Sequence, residues 1–269
     1  MWNLTNALLK YREVLKESIQ NIIDDDHTDD FVAVIGGDAS GWSSPRTEIL
    51  DFSGRNRMCD LTKAVSRDAF GGAVFNDQIL ICGGKSRYCL YGDDVDALKS
   101  RSARALSYKR TYASIVPVNS TMLWVVGGLK TKPFGYNTTD FVHLNNKKTV
   151  KGPKLPILVV YHCMVDLEDG SFLLIGGRQN GIVSSQTWIL NPSDISLTKE
   201  GPPLSMERYF HACGTMKDKY GNLIIVTAGG RDKNYLNTKS VEMLNTTLMK
   251  EWNFGKLINN STYPFETSK

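Results

Sequence analysis

Five short apolar segments, each closed by two glycines, constrain this chain more than any other feature. They are Phe31–Ile35 before Gly36 and Gly37, Gln78–Cys82 before Gly83 and Gly84, and Met122–Val126 before Gly127 and Gly128. Phe172–Ile175 follows, before Gly176 and Gly177, and then Leu223–Ala228 before Gly229 and Gly230. The second glycines lie 47, 44, 49 and 53 residues apart. A recurrence near every 50 residues marks a repeat architecture, in which each unit is one small supersecondary element.

The flanks repeat too. A second β-rich stretch precedes each apolar segment and joins it through turn residues: Asn76-Asp77, Asn119-Ser120, Glu168-Asp169-Gly170, and a longer turn around Gly221. These are hairpin signals. A polar loop follows each glycine pair. Next come alternating segments at 47–52, 140–144, 186–190 and 240–244, and a weaker strand that ends in Pro153, Pro156, Pro202 and Pro203. Four antiparallel strands per unit of about 48 residues describe a propeller blade. The glycine pairs read as structural, because a crowded strand end needs positive φ and close backbone approach. No phosphate-cradling glycine motif coincides with them.

With these elements in view the chain resembles the kelch-repeat family over roughly residues 31 to 255. Arg67, Arg110 and Arg208 match the arginine that opens a kelch inner strand, His162 and His211 match a position further along it, and Trp252 matches the outer-strand tryptophan. The resemblance implies an all-β, kelch-type β-propeller. Five blades of four antiparallel strands are recognisable.

The ends differ. Leu4, Leu8, Tyr11, Leu15, Ile19 and Ile22 share one face of a predicted amphipathic helix, followed by an acidic stretch at 24–30. The domain reading is therefore 1–30 as helix and acidic linker and 31–269 as propeller. The first unit lacks an inner strand of its own, so the tail at 260–269 is expected to pair with Phe31–Ile35 and close the ring.

Composition excludes several classes. Hydrophobic residues make up 41% and charged residues 22%, which is globular rather than disordered. A net charge of +4 is too small for a nucleic-acid protein without a clustered basic face. No stretch of 18 apolar residues predicts a membrane span, and no signal peptide is visible. Hydrolase and metal-binding motifs are absent from the sequence, so neither metal nor cofactor is expected and the chain reads as non-enzymatic. His162 and His211, with Cys163 and Cys213 nearby, read as repeat-equivalent structural residues; a metal site would need three or four convergent ligands. Of the five cysteines, Cys82 and Cys89 bracket a short loop and are the disulfide candidates.

The loops after the glycine pairs should emerge together on one face. They carry Arg46, Lys85, Arg87, Lys130, Lys132, Arg178, Arg231 and Lys233 against Asp38, Asp93, Asp94 and Asp232. Trp42, Tyr88, Tyr91, Phe134, Tyr136 and Tyr235 lie among them. Arginine with exposed aromatics is the composition of binding hot spots. Asn119, Asn137 and Asn245 head N-x-T sequons in predicted turns and are glycosylation candidates. The expectation is a recognition module that binds a protein or glycan partner through these loops, outside the cell or at its surface. The alternative is a cytoplasmic kelch adaptor for ubiquitin ligation, whose oligomerisation domain this chain would lack.

Overall fold

The computed structural model describes residues 31–35, 38–39, 42–43, 47–51, 60–61, 70–75, 78–84, 87–92, 102–103, 106–131, 134–146, 148–218, 220–248 and 251–254. The predicted helix at 1–30, Gly36, Gly37, Arg46, Arg67, Lys85, Lys132 and the tail at 260–269 lie outside them, as does the predicted ring closure.

The described chain is all-β and falls into five units. Unit I holds β1 (Phe31–Ile35), β2 (Asp38–Ala39), β3 (Trp42–Ser43), β4 (Thr47–Asp51) and β5 (Asp60–Leu61). Unit II holds β6 (Phe70–Phe75), β7 (Gln78–Gly83), β8 (Cys89–Gly92) and β9 (Ser102–Ala103). Unit III holds β10 (Ser114–Asn119), β11 (Met122–Val126), β12 (Leu129–Thr131), β13 (Phe134–Gly135), β14 (Thr139–His143) and β15 (Lys148–Lys151). Unit IV runs from β16 (Val159–Val160) and β17 (Cys163–Asp166) through β18 (Phe172–Ile175), β19 (Arg178–Gln179) and β20 (Ile182–Val183) to β21 (Thr187–Leu190) and β22 (Lys199–Gly201). Unit V holds β23 (Ala212–Lys217), β24 (Leu223–Ala228), β25 (Val241–Asn245) and β26 (Asn253–Phe254).

Units II to V each form a four-stranded antiparallel sheet in chain order: β6-β7-β8-β9, β10-β11-β14-β15, β17-β18-β21-β22 and β23-β24-β25-β26. Unit I contributes β1-β4-β5. The loops after the glycine pairs form the small ribbons β2-β3 and β12-β13, and β19-β20 adds to β16 in a three-stranded sheet.

The sheets stack, and strand alternation explains how. Side chains of a strand point alternately to its two faces. In β11, Leu123 and Val125 join a core with Leu80, Cys82 and Ile115 of and beside unit II. The intervening Trp124 and Val126 join the next core with Met164, Phe172 and Leu174 of unit IV. In β18 the same division sends Phe172 and Leu174 one way and Leu173 and Ile175 the other, toward Ile225, Leu244 and Trp252. The second strand of these units is therefore buried on both faces, which is why it reads as an unbroken apolar segment.

Backbone contacts clasp one unit to the next. The amides of Gly84, Gly128 and Gly177 donate to the carbonyls of Arg110, Val159 and Arg208, at 2.9, 3.0 and 2.8 Å. Those three acceptors occupy the same repeat position, four residues before an inner strand. Gly177 shows why glycine is needed. Its φ is +81°, and a Cβ there would lie 2.7 Å from the Val160 carbonyl oxygen and 2.8 Å from the His162 Cα. Gly177→Val is expected to lose at least about 2 kcal/mol of stability, from left-handed strain plus overpacking. Gly170→Ala, with nothing near its Cβ, should lose only the conformational part. Urea midpoints of the two variants test this; equal losses would contradict it.

Two arginines organise the same junctions from inside. Arg110 is fully buried; its Nε donates to Asp140 at 3.0 Å, its Nη1 to the carbonyls of Gly127 and Thr138, and its Nη2 to the Thr138 hydroxyl. Arg208 repeats the set with the Gly229 and Ser240 carbonyls, the Ser240 hydroxyl, and Glu242 at 2.6 Å. In unit IV the equivalent position is Val159, and a neutral substitute appears. Gln179 Nε2 donates to the carbonyls of Gly176 and Gln186, while Trp188 Nε1 donates to Gln179 Oε1. Each junction thus satisfies the same backbone carbonyls, twice with an ion pair and once with an amide.

Two disulfides complete the scaffold. Cys82–Cys89 joins directly paired residues of β7 and β8, as the sequence suggests. Cys163–Cys213, which the sequence reading left as two separate cysteines, staples β17 to β23 across neighbouring sheets. It closes a 50-residue separation, so Cys163→Ala/Cys213→Ala is expected to lose about 2–4 kcal/mol. Unreduced peptide mapping should show both linked pairs, and free Cys163 and Cys213 thiols would refute the staple.

Candidate functional site: an aromatic and arginine patch at the loop end

The segments 110–113, 159–162 and 208–211 lead into the inner strands and set the same local conformation three times. Tyr112, Tyr161 and Phe210 occupy one repeat position, and all three have positive φ, at 59°, 60° and 57°. A bulky residue there is a genuine outlier that the surrounding structure must enforce. The enforcement is visible: Tyr161 N–H donates to the Tyr112 carbonyl and Phe210 N–H to the Tyr161 carbonyl.

This conformation turns three rings from successive units toward one another. Tyr161 lies 4.1 Å from Phe210 and 4.7 Å from Tyr112, centroid to centroid, and Tyr112 lies 5.1 Å from Phe210. Tyr209 extends the group to Tyr235. Burial, with Tyr112 beside it, holds the Tyr161 phenol above its ordinary pKa, so it stays neutral. Arg178, from the neighbouring loop, lies over the rings of Tyr209 and Tyr235 at 5.3 and 5.5 Å, and its Nη2 donates to the Tyr235 hydroxyl at 3.1 Å. Phe210 is 44% exposed and Tyr235 63%. The patch therefore offers apolar faces, phenol edges and a pre-positioned cation at one place.

Of the expected loop-face residues, the structure brings Arg178 and Tyr235 into this patch. Tyr136 belongs to a second cluster, stacked on Tyr108 at 5.3 Å beneath Arg110. Arg87 donates to the Leu106 carbonyl, Arg231 to Asn237 and Lys233 to Glu207, so these cations are engaged with nearby loop groups. Lys130, Phe134 and Tyr88 are exposed. The backbone of Trp42 pairs with Ala39. Tyr112, Tyr161, Tyr209 and Phe210 were missed by the sequence reading, although their signal is present: an aromatic recurs two residues after Arg110, Val159 and Arg208.

His162 and His211 are buried beside the glycine clasps, and no side-chain hydrogen bond reaches either ring. Burial pushes both down to about 3, helped at His162 by His211 and at His211 by Arg208; the Ile175 carbonyl only partly offsets this. They are neutral packing residues. No group of three or more His, Cys, Asp or Glu able to hold a metal occurs among the described residues.

No family model matches the chain. No curated protein matches it by sequence. Among solved structures, its backbone is similar to that of YjhT. That likeness has a TM-score of 0.60 at 16% identity and covers 72% of this chain and 67% of the other. At such identity it speaks to fold alone. It places these stacked antiparallel sheets on a known backbone path and says nothing of chemistry. Among the described residues no helix is long and apolar enough to cross a membrane.

Proposed function

We propose that this chain is a non-catalytic recognition module of the kelch-propeller kind, working outside the cell or at its surface and binding a protein or glycan partner through the loop end. The observation that carries the reading is the convergence of Tyr112, Tyr161 and Phe210 with Arg178 and Tyr235. Rigid aromatics with few rotatable bonds and a pre-oriented guanidinium are the anchors that dominate binding energy. They stand on strained backbone held by a stapled scaffold, so little order is lost on binding. The propeller reading draws support from the four four-stranded units and their repeated arginine–carboxylate junctions. The extracellular reading draws support from two disulfides, which reducing compartments disfavour; this weighs against the intracellular adaptor.

The test is a screen of the folded chain against a glycan array and a panel of receptor ectodomains, repeated with Arg178→Ala/Tyr235→Ala. Loss of a hot-spot pair should weaken the captured probe at least about tenfold. Lys130→Ala should leave it unchanged. Equal binding by the double variant would remove the patch from the interface.

A further inference from the structure

The two ends of the sheets differ in a way that the loop-end patch does not explain. Asn119 closes β10 at the hairpin turn into β11, and Asn245 closes β25 at the turn after it. Both are at the strand ends opposite the glycine pairs: Asn119 stands across from Met122, the first residue of β11, and Thr246 N–H donates to the carbonyl of Leu223, the first residue of β24. Roughly 15 Å of strand separates that end from the loops.

At Asn119 the side-chain Oδ1 accepts from the Thr121 amide at 2.9 Å and from the Thr121 hydroxyl at 3.0 Å. At Asn245, Oδ1 accepts from the Thr247 amide at 2.9 Å. Both are Asx turns within N-x-T sequons. Asn119 is exposed and Asn245 half-buried. Of the chain's six N-x-S/T sequons, one more, at Asn137, lies among the described residues, and it stands at the other end. Asn137 is at the loop end, the Thr138 hydroxyl and carbonyl are held by buried Arg110, and the Thr139 hydroxyl donates to the Pro153 carbonyl.

We propose that Asn119 and Asn245 are N-glycosylation sites, which places their sugar chains at the end of the sheets remote from the aromatic and arginine patch. The inference rests on the extracellular reading above. In the transfer, Nδ2 attacks C1 of an oligosaccharide carried on a lipid diphosphate. An N–C bond replaces the C–O bond to phosphate, the lipid diphosphate leaves, and one Nδ2 proton passes to a base of the transferring enzyme. The product is a scaffold with one hydrophilic, shielded end and one bare end for contact.

The experiment expresses the full chain behind a supplied secretion leader in animal cells. Glycosidase release in heavy-oxygen water then marks each glycosylated asparagine as labelled aspartate. Labelled residues are expected at 119 and 245, and Asn119→Gln and Asn245→Gln should each remove one step of the gel shift. Unlabelled asparagine at either position in secreted protein with an intact Cys82–Cys89 bond overturns the proposal for that site. Translation into microsomes reads the same two steps without requiring the chain to fold, and absence of the steps there overturns it equally. Because the leader is supplied, these failures count against the sites. Failure of the extracellular reading would show separately, as reduced Cys82 and Cys163 in protein from the natural source.

Discussion

Arg208→Val should destabilise the protein by about 3–5 kcal/mol, and adding Glu242→Gln should restore part of that loss. Arg208 and Glu242 are both fully buried and meet at 2.6 Å. Removing the guanidinium strands a carboxylate whose remaining partner is the Ser205 amide. An uncompensated buried charge costs about 3–5 kcal/mol, far more than the net worth of the intact pair. It also takes the guanidinium donor from the Gly229 carbonyl and leaves the Ser240 carbonyl with the Gly229 amide. Glu242→Gln removes the stranded charge, so the double variant should be more stable than the single one. The neutral junction of unit IV, with Val159, Gln179 and Trp188, shows that this fold does not require an ion pair there. Urea unfolding with Lys130→Ala as an exposed control, expected within about 0.5 kcal/mol of the parent, reads the effect. A loss under 1 kcal/mol for Arg208→Val would mean the junction is held by packing alone.

Much of the fold was legible because its signals are local. The doubly buried second strands read as unbroken apolar segments, and the paired glycines mark where one unit's amides meet the next unit's carbonyls. Third strands at 47–51, 139–143, 187–190 and 241–245 sit within a residue or two of their expected places. Cys82–Cys89 was legible because a short loop brings the two together. Cys163–Cys213 was not, since its partners meet only once two sheets are stacked, and no spacing rule encodes that. Gln179 could not be foreseen in the arginine's place, because it reaches its carbonyls from β19, beyond its own glycine pair. The aromatic and arginine patch was half legible. Composition pointed to the loops, but arginines there also bond to their own neighbours, as Arg87 and Arg231 do. The aromatic triad escaped because a tyrosine at positive φ runs against ordinary conformational preference, and only the tertiary context imposes it.

Acid should unfold this protein from an unusually high pH, and His162 and His211 should be the cause. Both rings are buried, and burial pushes both down to about 3. In the unfolded chain each returns to 6.5, the ordinary value. The folded state therefore refuses protons that the unfolded state accepts. Above pH 6.5 neither state binds them and stability is unaffected. As pH falls below 6.5 stability declines, at up to about 1.4 kcal/mol per pH unit for each ring, and levels off near pH 3. At pH 5 the two rings together should account for a loss of about 4 kcal/mol, a large share of a typical domain's margin. The comparison is kept between pH 7 and pH 5, because Asp169, Asp194 and Glu207, held low by hydrogen bonds, lose their own contribution only as pH falls toward their ordinary values of 3.8, 3.8 and 4.5. Unit III supplies the control, since Ala113 occupies the equivalent position there. His162→Ala/His211→Ala will start less stable because each substitution leaves a cavity, but its urea midpoint should stay flat from pH 7 to pH 5 while the parent's falls. It is the slope that decides. Parallel slopes in parent and double variant would show that other groups carry the acid sensitivity.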